Sequence, residues 1–438
     1  MKKNIDRNSS LGSSWSGWLQ CCVATLSAIL ILNLNGVFSV IWGLEQVFSL
    51  VILGLCCVII FNLIGCLSAS LCSSGLYIVG FFVIYIISSG IIGVLSDRVD
   101  FLTLLLRIIT LINSIIIVLT FGLIGRAVRG SKYQMKFSIL IFVLFGGAVL
   151  SGYIGLLFPK WDQVFATTAA DIGRVTGFFL NPNEYGAQAG FLLCFGALLS
   201  FTRGNGLWFI LGFSLSLSAA FLSQSKAAVM IIVILGVFFI ARIIYLGLFS
   251  VSKAKAGYFF IAIISIASIY GALFLVRSAG MGQLELDMTR SQEMRSSQLK
   301  DLIFEGKIDS TTTTGRTEAA EEGLQIWAES PIVGNGLTAL DRMPKFGLGP
   351  HNSFIKILGE GGIVVFCAFL YALGRLGWDI IWVSNRSVSF CYLGCLLVLI
   401  AVLTASHTAL ERRNYNAMLG LLVGLSARNN VKVLHKKM

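Results

Sequence analysis

Residues 75–95, GLYIVGFFVIYIISSGIIGVL, decide the fold. They run without a single charged side chain, and as a helix they span about 30 Å, the thickness of a bilayer core. Lipid offers no water to pair backbone N–H and C=O groups, so such a run must satisfy them within itself, as a helix. The run is also too long and too evenly apolar for a barrel strand. Similar runs recur near 16–35, 46–68, 101–124, 137–158, 186–202, 207–222, 227–249, 257–276, 361–383, 388–408 and 414–427. Together they predict an all-α, polytopic transmembrane helix bundle of about twelve spans.

Composition agrees. The chain has 438 residues, 56% of them hydrophobic and 12% charged, with mean hydropathy +0.85. That excludes a soluble globular protein. The net charge of +12 could suggest nucleic acid as a partner, but no basic patch with stacking aromatics lies outside the apolar runs. The ten cysteines fall in or beside those runs, with neither zinc spacing nor a disulfide framework. The first run follows Lys2, Lys3 and Arg7 without a small-residue cleavage pattern, and reads as a span rather than a removed leader.

The cations give an orientation. Arg126, Arg129, Lys132, Lys136, Arg203, Lys253, Lys255, Arg386, Arg428, Lys432, Lys436 and Lys437 fall in loops of one parity together with the N-terminus. An even span number puts them all in the cytoplasm. The other side then receives the mixed-charge stretches. The largest, 277–352, holds eleven acidic and eight basic residues; it is too polar for lipid and is expected to form helices on the outer membrane surface. The expected organisation is 1–276 for spans one to nine, 277–352 for the large outer loop, and 353–438 for spans ten to twelve and a basic tail. No internal repeat is visible, which argues against many transporter architectures.

From the loop's second half into the start of the following segment the chain reads GRTEAAEEGLQIWAESPIVGNGLTALDRMPKFGLGPHNSFIKILGEGG, Gly315 to Gly362. Thr311–Thr314 can cap a helix, Glu318, Glu321 and Glu322 suit its positive end, and Pro331 ends it. Ala320, Leu324 and Trp327 share its expected apolar face. Arg316 then sits in the first turn, where a cation is unfavourable unless an anion answers it. A phosphate-bearing ligand would do so, and so would Glu318. Gly349 and Pro350 make a turn carrying His351, with Asn352 or Ser353 capping the next helix. His351 can be a proton acceptor for a sugar hydroxyl or a hydrogen-bonded turn residue. Two more outward cations matter. Arg174 lies in DIGRVTGFFLNPNEYG, and Lys226 in LSQSKAAVM at a helix start. Each can hold a diphosphate with Arg316 or reach lipid headgroups. His407 reads as structural and His435 as solvated. Asp97 and Asp100 read as ordinary loop charges, with divalent-ion binding the alternative. Arg107 and Arg242, in or near the ends of spans, either snorkel or act.

The ordered set Gly315, Arg316, Trp327, Pro331, Gly334, Gly336, His351, Asn352, Glu360 and Gly362 resembles the shared core of the O-antigen polymerase and O-antigen ligase superfamily, from about Arg174 onward. Ser225-Lys226 stands where that family often has Ser-Arg. The resemblance implies a metal-independent, inverting glycosyltransferase without a cofactor in the bacterial inner membrane, with the 277–352 loop in the periplasm. The implied donor is a glycan on undecaprenyl diphosphate, and the acceptor is a growing glycan or lipid A-core. A chain-length regulator would be a further partner of a polymerase. His351 and Arg316 are the implied catalytic residues, and Arg174, Lys226 and Arg316 the implied diphosphate ligands, with no metal site. Polymerase is the first expectation and ligase the second. A lipid or sugar transporter and a structural membrane subunit are the readings of other classes.

Overall fold

The computed structural model describes residues 16–64, 74–95, 100–157, 175–179, 181–223, 225–249, 316–341, 343 and 349–427. Among them the only regular structure is helical: α1 (Gly17–Ile31), α2 (Leu34–Trp42), α3 (Glu45–Leu63), α4 (Ser74–Leu95), α5 (Phe101–Val128), α6 (Gln134–Leu157), α7 (Pro182–Arg203), α8 (Leu207–Leu222), α9 (Lys226–Phe249), α10 (Arg316–Glu329), α11 (Ser353–Ile381), α12 (Arg386–Ala405) and α13 (Arg413–Ser426). Eight are long and apolar enough to cross a membrane, or nine if α1 and α2 count as one bent span. The chain is a multi-pass membrane protein. α8, at 16 residues, and α13, at 14, are shorter, and the expected span at 257–276 lies outside the described residues.

Two boundaries differ from expectation. The first run is broken: α1 and α2 meet at 63° because Asn33 takes the left-handed conformation (φ 52°), which Asn tolerates better than most residues. Its Nδ2 donates to the Phe178 carbonyl at 2.8 Å. The second difference is α11, which starts at Ser353 rather than near 361. Its first turns carry Lys356 and Glu360, polar residues that hydropathy rejects but that paired partners allow inside.

The chain divides into two compact units. Unit one comprises residues 1–30, 46–137 and 318–438. Here α5 packs along α13 at backbone contact: a Cβ on Gly125 would lie 2.8 Å from the Leu421 carbonyl oxygen, so the glycines permit a crossing that larger residues would forbid. α4 packs against α5 and α11. Outward apolar side chains such as Phe61 and Leu95 are exposed, as a lipid-facing surface requires. Unit two comprises residues 31–45 and 138–317. Its centre is α7, buried over nearly its whole length and flanked by α8 and α9.

Candidate functional site

Two glycine-rich pieces of the quoted loop form one structural joint in unit one. α11 is interrupted at Gly362, which takes φ 67° and ψ −174°. The interruption frees backbone groups that a continuous helix would pair. The turn Pro331–Leu337 takes them up. Asn335 N donates to Gly359 O at 2.9 Å, Gly336 N to Glu360 O at 3.0 Å, and Ile363 N to Pro331 O at 2.9 Å. Asn335 Nδ2 adds a bond to Ile326 O at 2.7 Å, tying in α10. Gly336 (φ 93°) faces α4 so closely that a Cβ would sit 2.6 Å from Gly93 N. Proline, turn glycines and helix-break glycines therefore serve one geometry.

The Glu360 carboxylate locks this joint. It accepts from Thr338 N at 3.0 Å and from the Tyr85 hydroxyl, and it is fully buried. One turn earlier on α11, Lys356, 2% exposed, pairs with Asp341 and lies 3.6 Å from Glu411. Arg107, from the second turn of α5, pairs with Glu411 and stands 3.8 Å from Asp341. Lys356 Nζ also lies 3.9 Å from Glu360 Oε1, so two cations stand among three acids. Burial alone would push the Asp341 carboxyl up, but Lys356 and Arg107 together hold it below the usual carboxylate range.

His351 and His407 stand beside this cluster. The chain bends at His351, which takes φ 50°, and Asn352 caps α11 by accepting from Phe354 N at 2.8 Å and Ile355 N at 3.3 Å. The His351 and His407 rings meet edge to face, with centroids 5.4 Å apart. A Cβ on Gly349 would lie 2.8 Å from His407 Cδ2, so the absent side chain makes room for the ring. Burial, then the Lys356 charge, pushes the His407 pKa down to about 4, keeping the imidazole neutral at pH 7. Its Nδ1 is buried without a hydrogen-bond partner. A small cleft, with room for about one water, opens here, lined by Tyr85, Arg107, Ser353, Lys356, His407 and Glu411 among others.

α10 forms over Arg316–Glu329, placing Arg316 in its exposed first turn. Its buried face is not the expected Ala320–Leu324–Trp327 stripe. Ala319, Glu322 and Gly323 face inward, and Leu324 is exposed. The reason is contact distance: a Cβ on Gly323 would meet Ile355 at 2.7 Å and Pro350 at 3.3 Å, so α10 approaches α11 through its smallest side chains. Pro350 directly precedes His351.

In unit two, Lys226 opens α9. Ser225 Oγ bonds Asn183 Oδ1 at 2.6 Å, so the turn before α9 is fastened to the Asn-Pro-Asn start of α7. Lys226 and the end of the Arg174–Gly186 element therefore adjoin one another. Arg174 itself, Gly315 and Asp97 lie outside the described residues. Asp100 caps α5, accepting from Thr103 N at 3.1 Å. No group of three or more potential metal ligands occurs among the described residues.

Sequence reasoning had named Arg107 without a role, cited Glu360 only as a motif position, and missed Tyr85, Asp341, Lys356 and Glu411 as site residues. The spacing of Lys356 and Glu360, four apart on one helix face, was the available signal. No curated protein matches the chain. Residues 188–370, which run from within α7 through the joint into α11, match the family model described as O-antigen ligase, a likeness that supports the resemblance to the O-antigen ligase and polymerase superfamily.

Proposed function

We propose that the chain is a glycosyltransferase of the bacterial inner membrane that uses a glycan on undecaprenyl diphosphate at the periplasmic face. Its reaction is polymerisation of O-antigen or related repeat units. An acceptor hydroxyl attacks the anomeric carbon of the donor, the bond from that carbon to the diphosphate oxygen breaks with inversion, and the diphosphate leaves with the electron pair. His351 takes the hydroxyl proton. Arg316, with Arg174 and Lys226, meets the charge that grows on the leaving group; fixed cations there lower the barrier without a metal in principle. In this reading 277–352 is the periplasmic loop, between spans one to nine (1–276) and spans ten to twelve (353–438).

The observation that carries the reading is the placement of His351. It sits just before the Asn352 cap of α11, whose polar start is held by buried ion pairs, within the stretch matching the family model. The description of that model, O-antigen ligase, favours a second reading, transfer of the finished glycan to lipid A-core. Purified protein, given lipid-diphosphate-linked repeat units in EDTA without lipid A-core, separates the two. A glycan ladder on a gel supports the polymerase. Product formed only after lipid A-core is added supports the ligase. No product from a folded sample under either condition overturns the proposal.

A further inference from the structure

The two ends of α5 treat positive charge differently. Near its start, Arg107 is answered by Glu411 and Asp341. At its other end, about 30 Å along the helix and so a bilayer core away, stand Arg126 and Arg129, followed by Lys132 and Lys136. No acid answers these from the neighbouring chain. Neither Asp nor Glu occurs between Asp100 and Asp162, between Asp379 and Glu411, or after Glu411. α5, the loop after it, α12 and α13 therefore bring no carboxylate to this end. Asp379, near the end of α11, is engaged elsewhere: it accepts from Ser74 N at 3.0 Å and lies 3.3 Å from Arg375.

The loop that carries these cations is fastened on every side. Arg126 Nη1 donates to Ala427 O at 3.2 Å, closing the end of α13 onto α5. Gln134 Oε1 accepts from Gly130 N at 2.8 Å. Ser131 Oγ donates to Val128 O at 2.6 Å and accepts from Tyr133 N at 3.2 Å. The buried Tyr392 of α12 bonds Gln134. Arg129 is half-buried in this setting. Its Nη1 is buried without a hydrogen-bond partner, which leaves Nε and Nη2 as the edge open to an anion. Burial first, then the Arg126 charge one turn away, pulls its pKa below the ordinary arginine value, yet a guanidinium remains a cation. A run of solvated cations would call for no partner. A half-buried guanidinium held beside a second one does.

We propose that Arg129, with Arg126 and Lys132, binds a phosphate group at this end of the bundle, remote from the candidate site. Planar guanidinium forks match phosphate oxygens two at a time. Lys132 is exposed and stays by the loop, its ammonium 5.2 Å from the centre of the Tyr133 ring, where it can reach a third oxygen. One bound phosphate offsets the repulsion between the two arginines and braces the junction of α5 and α13. The phosphate belongs to the headgroup of an anionic lipid or to a soluble molecule. The position of Arg129, one residue past an apolar span, sets it at headgroup level. The site is independent of any glycosyl transfer.

Native mass spectrometry of the full chain released from detergent tests this directly. It compares retention of phosphatidylglycerol with that of phosphatidylcholine bearing the same acyl chains. The wild type should retain phosphatidylglycerol in preference. Arg129→Gln should lower that retention about fivefold, the scale of one basic residue at a headgroup, and Lys132→Gln should lower it less. Arg203→Gln removes an equal charge from the exposed end of α7 in unit two and should change nothing. A second arm compares melting in inorganic phosphate and in chloride at equal ionic strength. Stabilisation by phosphate in the wild type but not in Arg129→Gln, without a preference for phosphatidylglycerol, assigns the site to a soluble phosphate. Lys132→Gln alters an exposed residue, and Arg129→Lys keeps the charge but loses the fork, so both keep the test open if Arg129→Gln fails to fold. Equal losses in Arg129→Gln and Arg203→Gln would mean that overall charge, not a site, draws the lipid. That result would overturn the proposal, as would unchanged binding in the folded Arg129 and Lys132 variants. So would equal retention of the two lipids with no effect of phosphate.

Discussion

α10 and the first two turns of α11 come from the same loop stretch, and both are rich in charge, yet they use it in opposite ways. On α11, Lys356 and Glu360 are buried and bound from several elements at once: Tyr85 on α4, the turn carrying Thr338 and Asp341, and Glu411 before α13. On α10, Arg316, Thr317 and Glu321 face outward, and the helix is held by its small residues and by Asn335. Charge in α11 is consumed by the fold. Arg316 in the first turn of α10 stands on the exposed side of the helix. Removing the first should therefore appear as lost stability, and removing the second as lost function in an intact protein.

The sharpest way to break this contrast is Glu360→Ala. It removes the acceptor of Thr338 N and Tyr85 and leaves Lys356 short of a buried countercharge. Deleting one partner of a buried ionic network costs about 3–5 kcal/mol. A thermal melt in detergent should show the largest loss among the variants considered, with any loss of activity following the loss of folded protein. A melting temperature equal to wild type would mean that Glu360 does not lock the turn to α11.

Arg316→Ala should do the reverse. An exposed first-turn arginine contributes little to folding, so the melting temperature should move by less than the equivalent of about 0.5 kcal/mol. Transfer of glycan from the lipid diphosphate should fall about 10²–10³-fold if Arg316 stabilises the leaving group. His351→Ala should likewise lose transfer while inserting and melting normally. Full activity in both variants would sink the site assignment, and a collapse in stability of Arg316→Ala would erase the distinction between the two helices.

The same contrast explains what the sequence disclosed. The spans were legible because lipid imposes one rule on every residue of a run, and periodicity hardly matters. The Asn352 cap and the helix opening with Arg316 in its first turn were legible because each depends on neighbours within four residues. The joint between Pro331–Thr338 and Gly361–Gly362 was not. Its glycines were visible as a pattern, but their partners lie across some 25 residues of chain and on α4. The ion pairs were hidden for the same reason: Arg107 and Glu411 are 304 positions apart, and hydropathy records each charge as a cost without seeing the partner that offsets it. The inward face of α10 was misjudged because close approach at Gly323 outweighs the area of Leu324.

The smallest effect expected is a pH dependence that isolates His407. In the fold its pKa is pushed to about 4, by burial first and then by the neighbouring Lys356, His351 and Arg107 charges, with Asp341 acting the other way. Its ordinary value is 6.5. As pH falls below 6.5 the unfolded chain takes up a proton that the folded protein refuses, so His407 favours unfolding progressively down to about pH 4. Its contribution is fully present above pH 6.5 and lost through that window, with a slope of at most about 1.4 kcal/mol per pH unit for one proton. Asp341, held below its usual range, acts in the same sense at lower pH: its stabilisation is present above the ordinary carboxylate value of 3.8 and is lost as pH falls below it, so the two groups act in separate windows. Melting temperatures of wild type and His407→Gln, compared between pH 7 and pH 4.5, should converge as the wild type loses the stability that the variant never had to lose. Parallel curves would show that the fold does not lower the His407 pKa from its ordinary value of 6.5.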